Sequence, residues 1–506
     1  MDSQGVIDDS IESWYDPPCR GRHGDRIAGV ALKADTLEIR SSEAEPVELL
    51  KFPHPYQGAF TVASDIDSAS VLRFRAVHAL FCDNDIIKVN SPDWNTLGLT
   101  PDHPRFEKEF NGIRGFGFEL GDSFFLIGDP TTFGMHRYLP SEDGFCEVRQ
   151  DGENCADVVR QNIRRGQIDS FHAFLHYRRR QVEPLLRGLY EWCEREHVSK
   201  PRVWVNHSAA VTPSGLCPEG MQPSRTYRLV RLAARYVVGP LFGRKRHPLR
   251  YAFVRYSGDT PGSPYYINDI LSANGLRYAW LNMDDSHRDR IALPERQSAG
   301  RSTILEPVTM DDGIKYWRFQ RCYGSPSVHA RGEVYLRNSE AGFDGSHLLT
   351  EANLESLCRL GGSCILYTHW THYRSMPLSA ETLGRFELLR RWQAARRVWV
   401  TSTSRLLEWT RLRTFLKLGI HREGRHLIVD IQGVDDPIFG KEPVDLKTLD
   451  GLSLRIKDPE HPLTIALNGQ RLETPQVVRS GDLAWINSGE EDGDSAPVDD
   501  RAASSA

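Results

Sequence analysis

The sequence predicts an α/β fold, a parallel sheet with helices outside it, followed by a small all-β module. Three observations predict it. A strand pattern at 59–64 runs at once into a helical pattern at 69–81. From residue 156 to about 416, strand and helix patterns alternate, as repeated βα units do. Beyond about 420 the texture changes to short strand-like runs separated by Asn-Gly, Asp-Gly and Pro turns. The βα units leave the sheet either open or closed into a barrel.

In chain order, residues 1–54 form an extension with strand patterns at 26–32 and 36–41. The main domain spans 55–416. Within it, 90–150 is rich in Gly, Pro, Asp and Phe, with short strand signals such as 123–128 among turns. It reads as an insertion that could line or cover a cleft. Helices are expected at 156–165, 179–196, 265–273, 351–360, 380–395 and 402–416. Strands are expected at 168–171, 202–206, 251–255, 277–281, 304–307, 316–319, 364–367 and 397–401. The β module covers 421–488, with strands at 427–431, 452–456, 463–467 and 483–486. The acidic, Ala/Ser-rich tail, 489–506, has no hydrophobic anchor and is expected to be disordered.

Composition narrows the function classes. Of 506 residues, 40% are hydrophobic and 26% charged, as in ordinary soluble globular proteins. The net charge of −5 supplies no global field toward nucleic acid or an anionic membrane, and neither partner is expected. No apolar run reaches the length of a membrane span, and the acidic N-terminus lacks the apolar core of a signal peptide. The cytoplasm is the expected compartment. Nine cysteines without a CxxC pair fit reduced, buried thiols better than a disulfide framework.

Five strand ends carry polar groups. In AFTVASDIDSAS a strand runs into Asp65 and Asp67. At the C-terminal edge of a parallel sheet, one carboxylate could face a metal and the other a water. Helix capping of 69–81 is the competing account for Asp67. In His172-Ala-Phe-Leu-His176 two imidazoles fall on one face if the segment is helical, and could meet on one ion. Two ordinary polar residues beside an apolar turn is the alternative. The run CILYTHWTH delivers His369 and Trp370 at a strand end, where an imidazole can act as general acid or simply pack. VWVNHS delivers Asn206 and His207. Arg255, ending another strand, could contact substrate oxygens or form a surface ion pair, and Arg321 in WRFQRCYG is a weaker candidate.

The order of these motifs resembles the NodB-homology polysaccharide deacetylases, carbohydrate esterase family four. SDID is similar to the family's aspartate motif, His172 and His176 to its His-rich motif, Arg255 loosely to its arginine motif, and ILYTH to its last motif. Ala173 stands where the family has Ser or Thr, and the long spacing from Asp67 to His172 is taken up by the 90–150 segment. The resemblance implies a distorted (β/α) barrel and a divalent metal, zinc being the expected ion, held by Asp67, His172 and His176. It implies Asp65 as catalytic base and His369 as general acid. Arg255, His207, Asn206 and Trp370 are expected toward the substrate or the oxyanion. The expected reaction is hydrolysis of an acetyl group on a sugar or polysaccharide. The alternatives are a metal-independent glycoside hydrolase using two carboxylates, or a glycan-binding protein without catalysis.

Overall fold

The computed structural model describes residues 46–66, 71–85, 114–128, 133–139, 144–150, 153–174, 177–206, 213–217, 256–281, 304–319, 321–323, 325–328, 334–337, 349–359, 361–368, 380–473 and 476–489. All of these lie in one compact unit. The strands expected at 26–32, 36–41 and 251–255, and the tail beyond 489, fall outside the described residues.

The centre of the molecule is a parallel sheet. Its strands are β1 (Gly58–Ser64), β2 (Asp122–Gly128), β3 (Ile168–His172), β4 (Val203–Val205), β5 (Tyr278–Trp280), β6 (Lys315–Arg318), β7 (Cys322–Tyr323), β8 (Ser363–Thr368) and β9 (Val398–Val400). Hydrogen bonding runs β6-β5-β4-β3-β2-β1-β8-β7, every neighbouring pair parallel. Every residue of β1, β2, β3 and β8 is buried. That is the expected state of parallel strands covered on both faces. The parallel run ends at β6 and β7, which are separated in the chain by residues 319–321 alone, and Glu306–Thr309 pairs antiparallel on the other edge of β6. A single passage of chain therefore pairs with β5 by its first half and with β8 by its second.

One expectation is corrected here. Residues 122–128 lie inside the segment read as an insertion, yet they form β2, a central strand between β1 and β3. The sequence DSFFLIG is apolar enough to be buried on both sides; its Gly- and Pro-rich surroundings made the strand signal at 123–128 read as part of an insertion. Gly134–Leu139 adds a further parallel strand against β2 and turns back as Gly144–Glu147.

Seven helices are described: α1 (Val71–Cys82), α2 (Cys155–Arg164), α3 (Arg179–Arg195), α4 (Asn268–Ala273), α5 (Glu351–Arg359), α6 (Ala380–Ala394) and α7 (Thr403–Phe415). Helices α1, α2, α3, α5 and α6 pack on one face of the sheet. Phe60 and Val62 of β1 pack with residues of α1, α5 and α6. Phe171 and Trp204 pack with residues of α2 and α3. The alternate side chains, Ala59, Ala63, Val203, Val205, Tyr278, Trp280 and Ile365, lie on the opposite face, here called the inner one, in a cluster shared with α7 and the C-terminal strands.

On one side β1 has two successive partners. Gly58–Phe60 pairs with β9, whereas Ser64 pairs with Asp122 of β2. The N-terminus of α7 fills the gap: the Thr403 hydroxyl donates to the Val62 carbonyl at 3.1 Å. Asp169, buried in β3, accepts the Ser404 N–H at 2.7 Å, a carboxylate placed at the positive end of a helix. Burial raises the Asp169 carboxyl above its ordinary range.

The C-terminal strands form two sheets. Leu416–Glu423, His426–Asp436, Gly440–Glu442, Leu463–Leu467 and Gln470–Arg471 make one. Ser453–Ile456, Leu483–Ile486 and Val477–Ser480 make the other, completed by Val47–Leu49 from near the chain start. A buried ion network joins these strands to the central sheet. Arg411 of α7 reaches Asp436 at 3.0 Å, Glu408 at 2.6 Å and Glu442 at 2.7 Å. Arg277 shares Glu408 and Glu442. Among the described residues no helix is long and apolar enough to cross a membrane.

Candidate functional site

Strand β1 ends in Asp65, whose backbone N–H continues the ladder to the Thr368 carbonyl at 2.8 Å. Its carboxylate accepts from both terminal nitrogens of Arg321, at 2.7 and 3.4 Å. Arg321 lies between β6 and β7 and is 1% exposed. Its guanidinium carbon sits 3.5 Å from the Trp280 ring centroid and 3.9 Å from that of Tyr367. The two rings are within 19° of parallel. A cation this deep survives only with compensation. Asp65 supplies the countercharge, and the two ring faces supply the quadrupoles.

His172 ends β3. It is registered with Phe125 on β2 and with Val205 on β4, and Val205 is registered with Trp280 on β5. Phe125, His172, Val205 and Trp280 thus form one row across four strands. Rows two strands apart are separated by roughly 10 Å, so His172 and Trp280 stand at that spacing. Asp65 and His172 likewise end strands with β2 between them. The imidazole is fully buried and lies against the Phe125 ring, centroids 4.5 Å apart. Its Nδ1 is 3.2 Å from the Val205 carbonyl oxygen. A carbonyl only accepts, so Nδ1 carries the proton, and in the neutral ring Nε2 holds the lone pair.

The helical reading of the His172–His176 segment does not hold at its start. His172 is the last residue of a strand paired on both sides, and residues 173–174 are not helical. The i, i+4 argument therefore does not bring the two imidazoles together. Asn206, expected toward substrate, is used by the fold instead. Its Oδ1 accepts from the Trp204 indole at 2.7 Å and from Leu216 N–H at 3.0 Å, and its Nδ2 donates to the Leu216 carbonyl at 2.7 Å. The amide is a clamp that fixes residues 213–217 against β4. Asp67, His176, His207, Arg255, His369 and Trp370 lie outside the described residues. Among the described residues no three His, Cys, Asp or Glu side chains gather as a metal set. Of the three expected ligands only His172 is among them.

The residue given least weight from sequence, Arg321, proves central, together with Trp280 and Tyr367. An arginine three residues beyond the aromatic strand run KYWR was the available signal. Of the aromatics near the expected site, Phe171, Phe174 and Trp204 belong to the outer core. Another buried carboxylate, Asp259, accepts the Cys217 N–H at 2.9 Å and the Asp311 N–H at 3.4 Å. Burial, reinforced by the charge of Asp311, pushes its carboxyl up to about 6. No family model, curated protein or solved structure matches the chain.

Proposed function

We propose that the chain is a metal-dependent hydrolase that removes an acetyl group from an acetylated sugar or polysaccharide, on a parallel βα scaffold that closes as a distorted barrel. One observation supports this reading most: Asp65 and His172 end strands of the same parallel sheet, on either side of β2, with Asp65 clamped by buried Arg321. Ligands of such scaffolds bind at the C-terminal ends of the strands. The joining of β6 and β7 through three residues supports closure.

In this reading Asp67, His172 and His176 would hold a divalent ion. One carboxylate and two imidazoles are a donor set suited to zinc. The Val205 carbonyl fits His172 for that role, because fixing the proton on Nδ1 leaves Nε2 as the coordinating nitrogen. When bound, the ion would supply Lewis-acid polarisation of the acyl carbonyl and acidify a water. Asp65 takes the proton of the attacking water, and Arg321 keeps that carboxylate in one orientation. His369 returns a proton to the departing amine or alkoxide. A carbohydrate partner belongs to this proposal.

Elemental analysis of the purified chain, paired with acetate release from acetylated glycans, tests it. His172→Ala and Asp67→Ala should lose metal and activity together, while His369→Ala keeps the metal and loses turnover by roughly 10²–10⁴-fold. A chelator-insensitive, metal-free glycosidase activity would replace this reading with two-carboxylate chemistry. Glycan binding without acetate release would replace it with a binding protein.

A further inference from the structure

Two buried donors near Asp65 have no acceptor among the described residues. They are the Trp280 indole Nε1–H and the Arg321 Nε–H, although Trp280 is only 4% exposed and Arg321 1%. The two groups are stacked on one another. Burying one polar N–H without an acceptor forfeits its hydration with no return. Two such groups in contact, with Trp280 in one row with His172, make a chance defect a poor explanation. The remaining nitrogens of Arg321 are engaged by Asp65, which also cancels its charge. What is left is a pair of N–H groups with little net charge behind them, a match for an oxygen with lone pairs and at most a shared charge.

We propose that Trp280 Nε1–H and Arg321 Nε–H donate to an acyl oxygen of a bound ligand, the carbonyl of an ester or amide or the carboxylate it becomes. This rests on the hydrolase reading for its choice of acyl group, and it assigns that reading a donor site other than Asn206. Trp280 would then touch substrate through its indole N–H, with its ring face still covering Arg321.

The test uses the full chain with ¹⁵N-labelled tryptophan. The Trp280 indole resonance is assigned by its loss in Trp280→Phe. Sodium acetate and N-acetylglucosamine are titrated separately. The expected result is a saturable downfield shift of that resonance with at least one of the two. Response to acetate alone identifies the released acid as the occupant, and response to N-acetylglucosamine alone identifies the acylated sugar. Replacing Trp280 by benzothienylalanine, which keeps the ring and removes only the N–H, should weaken that binding about five- to tenfold without unfolding the chain. No shift with either probe in folded protein overturns the proposal. Shift and binding without acetate release would leave the donor site standing and remove the hydrolase reading. Acetate release that is unaffected by benzothienylalanine would do the reverse.

Discussion

Replacing Arg321 by Met removes the cation from a site where both partners are almost wholly desolvated, with side-chain exposures of 1% for Arg321 and 5% for Asp65. The Asp65 carboxylate is then left without its countercharge in the low-dielectric interior. Breaking a buried pair from one side costs about 3–5 kcal/mol. The cation's contact with each ring adds on the order of 0.5–2 kcal/mol. The methionine side chain recovers part of this by filling the space between Trp280 and Tyr367. A net loss of about 3–5 kcal/mol is therefore expected, read as a lowered urea midpoint at unchanged slope. Asp65→Asn should cost less, because an amide can still accept from Arg321 while the guanidinium keeps its two ring contacts. The double variant Asp65→Asn/Arg321→Met should be more stable than the sum of the two single losses predicts, with a coupling of about 2 kcal/mol or more, as contacting buried charges show. Two small losses, each under about 1 kcal/mol and additive, would refute the reasoning that a desolvated ion pair holds Asp65 in place.

Two other predictions follow from buried charge elsewhere. Asp259 is raised from its ordinary 3.8 to about 6, so the folded chain holds a proton that the unfolded chain releases. Its contribution is fully present below the unfolded value and is lost as pH rises through about 6. Asp259→Asn should therefore gain about 3 kcal/mol relative to the native chain between about pH 4 and pH 7, at 1.36 kcal/mol per unit. Unfolding curves across that range check it, and a stability difference that does not change with pH counts against it. Truncation after residue 420 should give aggregated protein rather than a soluble core. It strips Asp436 and Glu442 from buried Arg411 and uncovers the cluster containing Trp317, Trp399 and Trp409. A monodisperse truncated chain with native-like helix content would show that the C-terminal strands are not needed to cover that surface.

The local elements were legible because local chemistry decides them. The run GAFTVAS is a β-favouring stretch, and the helices and strands expected after residue 156 that fall among the described residues lie within a few residues of the observed ones, while the strands at 322–323, 325–328 and 334–337 were not foreseen. Asp65 and His172 were legible as strand-end polar groups for the same reason. The role of Asn206 was not, because its partner Leu216 approaches only once residues 213–217 fold back. Likewise the strand signal at 123–128 was legible, but its place at the centre of the sheet was not, since only pairing with β1 and β3 decides it.

By itself the sequence determined where most of the described strands and helices form, that the described part of 421–488 is all-β, and which strands end in ionisable groups. These follow from side-chain pattern over a few neighbouring residues. Tertiary structure alone decided that Val47–Leu49 joins a sheet with strands four hundred positions away, and that Arg321 meets Asp65 across 256 positions of chain. It also decided that His172 shares a row with Trp280. The physical reason is that strand order and register are settled by which faces bury each other, and a charge reveals its partner only when desolvation forces the two together.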